Sequence, residues 1–257
     1  MANAMRALFV SGEVAPFTEE NEISRLVRTL PELLHESGEY EIRIMMPRYG
    51  IISERRNKLH EVIRLSGTEI TVGEETQTLK VKVASIPGIR LQVYFMDNVH
   101  FFKRKGILED RDGKIFEDNA ERSVYFGRAV LETIRNLGWN PDVVHSFGWA
   151  GSMLPTLLQS VYRDEPLFAN TRSVYTPDNL DAHANYTAST IQDLELSDPE
   201  AIIGRTPAEI GTTSADAVIY PASYANIPAG SVAFAEDSDT WLETATSIYE
   251  HIAAVAA

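Results

Sequence analysis

Carboxylates crowd one short stretch of this 257-residue chain. Glu13 is followed by Glu19, Glu20, Asn21 and Glu22, just ahead of a segment whose apolar residues fall at Ile23, Leu26, Val27, Leu30, Leu33 and Leu34. That spacing marks one face of a helix. Acids at a helix start can simply complement the positive end of its dipole, repel an anion that the free amides would otherwise attract, or hold a metal. His145 and Trp149 form a second group. The histidine, at the end of an apolar run, can line a ligand site or be bonded to nearby backbone; the indole can stack on a ring or plug the core. The six histidines show no metal-ligand spacing, and neither a Ser-centred nucleophile elbow nor a Walker loop occurs. Metal and acyl-transfer chemistry have no support, and no cofactor is expected.

These residues need elements to carry them. Residues 7–10 are apolar without polar alternation, the pattern of a strand buried on both faces. Pro16 cannot continue a ladder, so a loop intervenes before the helix; Pro31 is expected to kink that helix and Gly38 to cap it in the left-handed conformation. Strand, loop and amphipathic helix open an α/β fold, and ligands in such folds sit at the strands' carboxyl ends. Residues 13–22 should line that crevice.

Further strands are expected at 41–46, 60–66, 69–72, 79–86 and 91–96, the later ones as an antiparallel excursion. After a charged connection over 101–116, Asp118 and Glu121 resemble a capping box for a helix carrying Val124, Val130, Leu131, Ile134 and Leu137, closed by Gly138, with Arg122 a candidate partner for either acid. Residues 142–146 read as a strand and 149–161 as a helix; 173–176 is a short strand before a polar loop over 177–195. Ser197 and Thr206 each precede a proline and head short helices, 216–220 reads as the last strand, and Trp241, Leu242, Ala245, Ile248, Tyr249 and Ile252 make an amphipathic terminal helix. No repeat or linker divides residues 1–257, so one domain is expected.

Composition narrows the partners. The formal net charge is −14, with 37 acidic against 23 basic side chains, a surface field that repels nucleic acid and anionic lipid. No cysteine is present, which fits the cytoplasm, and the apolar run near the amino terminus is too brief for a signal core or membrane span. Neither nucleic acid nor a membrane is an expected partner.

Several blocks carry a more specific message together than any does alone. Glu13-Val14-Ala15-Pro16-Phe17, Pro47-Arg48-Tyr49-Gly50, Asp118-Asn119-Ala120-Glu121-Arg122, Pro141-Asp142-Val143-Val144-His145 with Trp149 and Pro155, and Ala215-Asp216-Ala217-Val218-Ile219-Tyr220 with Tyr224-Ala225 resemble, in order and spacing, the bacterial glycogen and plant starch synthases. The resemblance covers most of residues 6–225. It implies a three-layer, Rossmann-like domain with a mostly parallel sheet, equivalent to the amino-terminal half of a GT-B glycosyltransferase. Members transfer glucose from ADP-glucose to the 4-OH end of an α-1,4-glucan in the cleft between two such halves. A carboxyl-terminal half, which supplies most of the nucleotide pocket, has no room in 257 residues, so a protein partner supplying it is one expectation.

Against the family's pattern, this chain departs at the positions that hold the donor. Where a Lys-Thr-Gly-Gly-Leu loop approaches the donor phosphates, it has Glu19-Glu20-Asn21-Glu22-Ile23. Like charges about 4 Å apart repel by roughly 1 kcal/mol in water and about 4 kcal/mol at an effective dielectric of 20, so binding of the ADP-glucose diphosphate should be badly weakened. The aspartate of the family's His-x-x-Asp-Trp is Gly148, and the histidine ahead of Asn-Leu is Asp178, followed by Asn179. Glu19, Gly148 and Asp178 are thus altered catalytic-site positions, and no catalytic residue is assigned. Glu13, His145, Trp149, Asp178 and Asn179 are the substrate-binding candidates. Two functions follow as expectations: a synthase-type protein of α-glucan metabolism, doubtful as a catalyst by itself, or a non-catalytic module that binds glycogen or a maltooligosaccharide and acts with a partner.

Overall fold

A computed structural model describes residues 4–180, 184–196 and 198–254. The buried opening strand is β1 (Met5–Ser11), and the amphipathic segment is α1 (Glu22–Ser37). Asn21 caps α1: its side chain accepts from Ser24 N at 2.8 Å while Ser24 Oγ accepts from Asn21 N at 2.9 Å. The helix runs through Pro31 without a break and stops at Gly38, whose φ of 77° is the left-handed cap read from the sequence. Leu26, Val27, Leu30 and Leu34 are fully buried. Each such side chain stabilises the fold by about 1.5–3 kcal/mol relative to exposure.

The chain continues through β2 (Tyr40–Pro47), the one-turn helix α2 (Glu54–Asn57), β3 (His60–Glu61), β4 (Glu69–Val72), β5 (Glu75–Thr78), β6 (Lys80–Ser85), β7 (Gln92–Asp97) and α3 (Val99–Phe102). The long helix α4 (Asn119–Leu137) leads to β8 (Val143–Phe147), α5 (Gly148–Gly151), α6 (Leu154–Gln159) and β9 (Arg172–Thr176). Then come α7 (Ala188–Ile191), α8 (Pro207–Ser214), β10 (Ala217–Tyr220), β11 (Val232–Ala233) and α9 (Trp241–Ala254).

Nine strands form one sheet in the order β11-β10-β9-β8-β1-β2-β7-β6-β3, parallel except where β6 pairs with β7 and with β3. On one side of it α1 packs with α9; on the other α4, α5, α6 and α8 pack together. The strand order reverses between β1 and β8, where Ser11 lies opposite Phe147, and Phe147 in turn lies opposite Thr176 of β9. A switch point opens a crevice beyond the strands' carboxyl ends, because the connections leave to opposite faces. The residues that follow those ends are Glu13, Gly148 and Asp178.

Local signals failed where other bonds took over. Residues 60–66 do not form one strand: after β3 the chain coils into a 3₁₀ turn (Ile63–Leu65), held because Ser66 Oγ accepts from Val81 N at 3.0 Å and donates to Val62 O at 3.2 Å. The 69–72 strand pairs with β5, not expected from the sequence, in a separate hairpin. The 149–161 helix is two short ones, α6 starting at Leu154 just ahead of Pro155, which has no N–H to continue the ladder from α5. The 177–195 stretch is not patternless: it carries α7 and buries Tyr186, Ile191 and Leu194, although 181–183 lie outside the described residues. Ser197 also lies outside them, and Pro199–Ala201 beyond it is a 3₁₀ turn. Strand β10 is not last, since β11 adds to it in parallel. The Thr206–Glu209 capping box of α8 forms as read.

Asp118 caps nothing. Its carboxylate takes both Arg104 Nη atoms, while Glu121 accepts from Thr190 Oγ1 at 2.8 Å. Arg122 pairs with neither acid. Fully buried, it donates to Phe101 O at 2.9 Å, Ile107 O at 2.7 Å and Asn119 Oδ1 at 2.6 Å, bolting the 101–107 connection onto α4.

Candidate functional site

Two adjoining cavities occupy the crevice. The larger, about 600 Å³, is lined by Glu13, Glu19, Glu20 and Asn21 on one side and by residues 105–110 with Ile115 on the other, Ile51 and Leu180 completing its rim. The smaller, about 160 Å³, shares Glu13, Asn21 and Leu180 with it and adds Glu22, Ile23, Asp178, Asn179, Pro221 and Ser223. Among the described residues, the smaller cavity has no cationic lining side chain, and the larger has Lys105 against Glu13, Glu19, Glu20, Glu109 and Asp110.

Glu13 and Asp178, each 9% exposed, form the floor. Glu13 accepts from Asn21 Nδ2 at 2.9 Å; burial outweighs that bond, and with repulsion from Glu19 it raises the carboxyl's pKa. Asp178 Oδ2 accepts from Trp149 N at 2.9 Å. Burial, assisted by the Glu13 charge, nevertheless pushes its pKa up to about 7. Gly148 makes room for this carboxylate. A Cβ at position 148 would overlap Asp178 Oδ2, and the φ of +60° at Gly148 independently disfavours any side chain. Positions 148 and 178 are therefore sterically coupled: an acid reaches from the end of β9 into the volume that a side chain at the start of α5 would fill.

The rim is tied together by polar bonds. Glu22 Oε2 accepts from Ser223 Oγ and, at 3.3 Å, from Ser223 N, and Asn179 Nδ2 donates to Ser223 O at 2.8 Å while its Oδ1 accepts from Ala225 N at 3.1 Å. Of the three acids at the α1 entrance, Glu22 thus stands in the first turn and holds the 223–225 loop; Glu19 and Glu20 precede the cap and face the larger cavity. The helix-dipole reading applies to Glu22 alone.

Two sequence candidates lie elsewhere. His145 is fully buried; Nδ1 is 2.6 Å from Tyr249 Oη on α9, Nε2 is 2.8 Å from Thr176 Oγ1, and the ring stacks 4.1 Å from Phe147. Burial holds its pKa well below the usual range. It is a core histidine bonded to side chains rather than backbone, and it lines neither cavity. Trp149 is 1% exposed, with the Arg122 guanidinium 5.3 Å from its ring, so it plugs the core behind the crevice. Its backbone N–H, rather than its indole, contributes to the site.

Sequence reasoning missed the second wall. Residues 105–110 read as a charged connection; Arg122, donating to Ile107 O, and Asn119, donating from Nδ2 to Leu108 O at 3.1 Å, reach back from α4 and fold them over the crevice. Leu180 carried no signal beyond adjacency to Asn179, and Ser223 none beyond adjacency to Tyr224-Ala225. Among the described residues no group of His, Cys, Asp or Glu could hold a metal, and no helix is long and apolar enough to cross a membrane.

Sheet order and crevice define an α/β, Rossmann-like domain with its ligand-sized space at the β1–β8 switch point. Residues 6–221 match the family described as the starch synthase catalytic domain, and the chain belongs to that family. It is 41% identical over 175 residues to a glycogen synthase of Chlorobium luteolum, covering 68% of this chain and 36% of that protein. With a glycogen synthase of Chlorobaculum parvum the identity is 36% over 200 residues, 77% of this chain and 40% of the relative. The chain thus spans well under half the length of these relatives. The fold is similar to the catalytic domain of Arabidopsis thaliana starch synthase IV, a structure bound to ADP and acarbose, with a TM-score of 0.69 and 20% identity over 84% of this chain and 45% of that one.

Proposed function

We propose that this chain is the amino-terminal, Rossmann-like domain of a synthase-type protein, acts in cytosolic α-glucan metabolism, and binds glucan hydroxyls rather than a sugar-nucleotide diphosphate. The observation that carries this reading is the charge of the crevice: every ionisable side chain described around the smaller cavity is a carboxylate. A diphosphate brought there meets Glu13, Glu22 and Asp178 with no compensating cation from this chain's described residues. A sugar hydroxyl meets good partners instead. Carboxylates accept hydrogen bonds from it, and a protonated Asp178 can also donate one. The apolar rim at Ile51 and Leu180, 47% and 44% exposed, offers surface for the C–H faces of a sugar chain.

Family membership supports a second reading, in which another lobe supplies the missing cations and glucose is transferred from ADP-glucose. The two readings separate cleanly. Under the first, glycogen in a native gel retards the purified chain, calorimetry with ADP-glucose gives no heat, and radiolabelled ADP-glucose leaves no label in glycogen. Micromolar binding of ADP-glucose by the chain alone would overturn it. Label incorporation only after a partner lobe is added would establish the second.

A further inference from the structure

Beyond the crevice, one part of the molecule reverses its overall charge. At the carboxyl ends of β2 and β7 lies a cavity of about 330 Å³ lined by Arg48, Lys80, Lys82 and Lys103, with only Glu54 and Asp97 as described carboxylates, in a protein whose formal net charge is −14. Arg48 and Lys82 form its floor, their side chains 8% and 12% exposed. Lys82 Nζ bridges Glu54 Oε1 at 2.8 Å and Asp97 Oδ2 at 2.7 Å, and Arg48 Nη2 also pairs with Glu54. The two acids are thus matched by the two buried cations. Lys80 and Lys103 are surplus: both are exposed, and neither has an ion-pair partner among the described residues.

Arg48 is itself not fully satisfied. Its Nε is buried without a hydrogen-bond acceptor, and Asp97 Oδ1, at 4.0 Å, lies beyond bonding range. An acceptor-rich ligand in the cavity would complete that unmade donor. Gln77, Thr78 and Asn98 supply neutral polar lining. An excess of two positive charges, a guanidinium donor lacking an acceptor and a cavity of this size match a small anion with several acceptor oxygens.

We propose that this cavity binds a phosphate group, either inorganic phosphate or the monoester phosphate of a small sugar phosphate. It lies on the same end of the sheet as the crevice, one loop away: Arg48 faces it, while Ile51 lines the larger crevice cavity. The proposal is independent of the glucan reading, since it uses none of the crevice carboxylates.

Isothermal titration of the full chain at constant ionic strength tests it with inorganic phosphate, glucose 1-phosphate and glucose. Both phosphates should bind and glucose should not; equal affinities would identify the free anion as sufficient, and tighter glucose 1-phosphate a sugar phosphate. Lys80→Gln with Lys103→Gln, two exposed changes that leave the buried ion pairs intact, should weaken phosphate at least tenfold with the unliganded melting temperature unchanged. Glu20→Gln, on the crevice wall, should leave phosphate affinity within twofold. No heat with either phosphate at about 20 mM, or a Kd unmoved in the double lysine variant, would overturn the site.

Discussion

Gly148 and Asp178 occupy one volume between them: the glycine's missing side chain is the space into which the Asp178 carboxylate projects, anchored by Trp149 N at 2.9 Å. The relationship ties together two positions 30 residues apart in the sequence. It also sets the first prediction. Gly148→Asp should destabilise the fold by well over the roughly 1–2 kcal/mol charged to a left-handed side chain, because the new carboxylate also meets the old one. Asp178→Ala should recover part of that loss. A double-mutant cycle in urea should give a coupling energy above about 1 kcal/mol; additive effects would show that the two sites do not share space.

Stability should depend on pH through the same carboxyl. Its pKa, raised to about 7 by burial in the fold, stands above an unfolded value near 3.9. The native state therefore holds a proton that the unfolded chain has released, and stability falls as pH rises from about 4 to 7. The raised Glu13 contributes with the same sign. Asp178→Asn, which keeps an acceptor for Trp149 N, should flatten this slope and be more stable than the parent at pH 8. Urea melts at pH 5 and pH 8 check it.

His145 gives the opposite slope. Its depressed pKa keeps the ring neutral in the fold, so its contribution is present above an unfolded value near 6.5 and is lost as pH falls below it. Tyr249→Phe removes the partner of Nδ1 and should cost about 1–2 kcal/mol while leaving retardation by glycogen unchanged. Lost glycogen binding in a stably folded variant would return His145 to the binding site.

Arg122 should prove costly to replace. Arg122→Met strands the carbonyls of Phe101 and Ile107, each at about 1–3 kcal/mol, and frees the crevice's second wall. Urea denaturation should show a loss of about 3 kcal/mol or more, and proteolysis should cut first within 103–115.

Charge reversal at the crevice mouth tests the electrostatic account directly. Glu19→Lys with Glu20→Gln removes two repulsive charges and adds one attractive one, so ADP-glucose, silent in calorimetry with the parent, should give measurable heat with the variant. An unchanged result would mean that Glu19 and Glu20 do not face the bound diphosphate.

What the chain discloses without its fold is whatever depends on periodicity and on neighbours in sequence. The apolar run before Ser11, the 3.6-residue stripe from Ile23 to Leu34, the Gly38 cap and the Thr206–Glu209 box are local, and the structure keeps each of them. The family blocks, read in register, carried the α/β architecture as well. Residues 13–22 were also legible as the crevice lining, but tertiary contact decided where the other polar groups went. Asp118 turned from capping to Arg104, Arg122 went inside to hold a loop, and His145 found Tyr249 more than a hundred residues away. A buried polar group must take the partner that packing brings to it, whatever its sequence neighbours offer, because an unmade bond away from water costs more than a local bond exchanged at the surface.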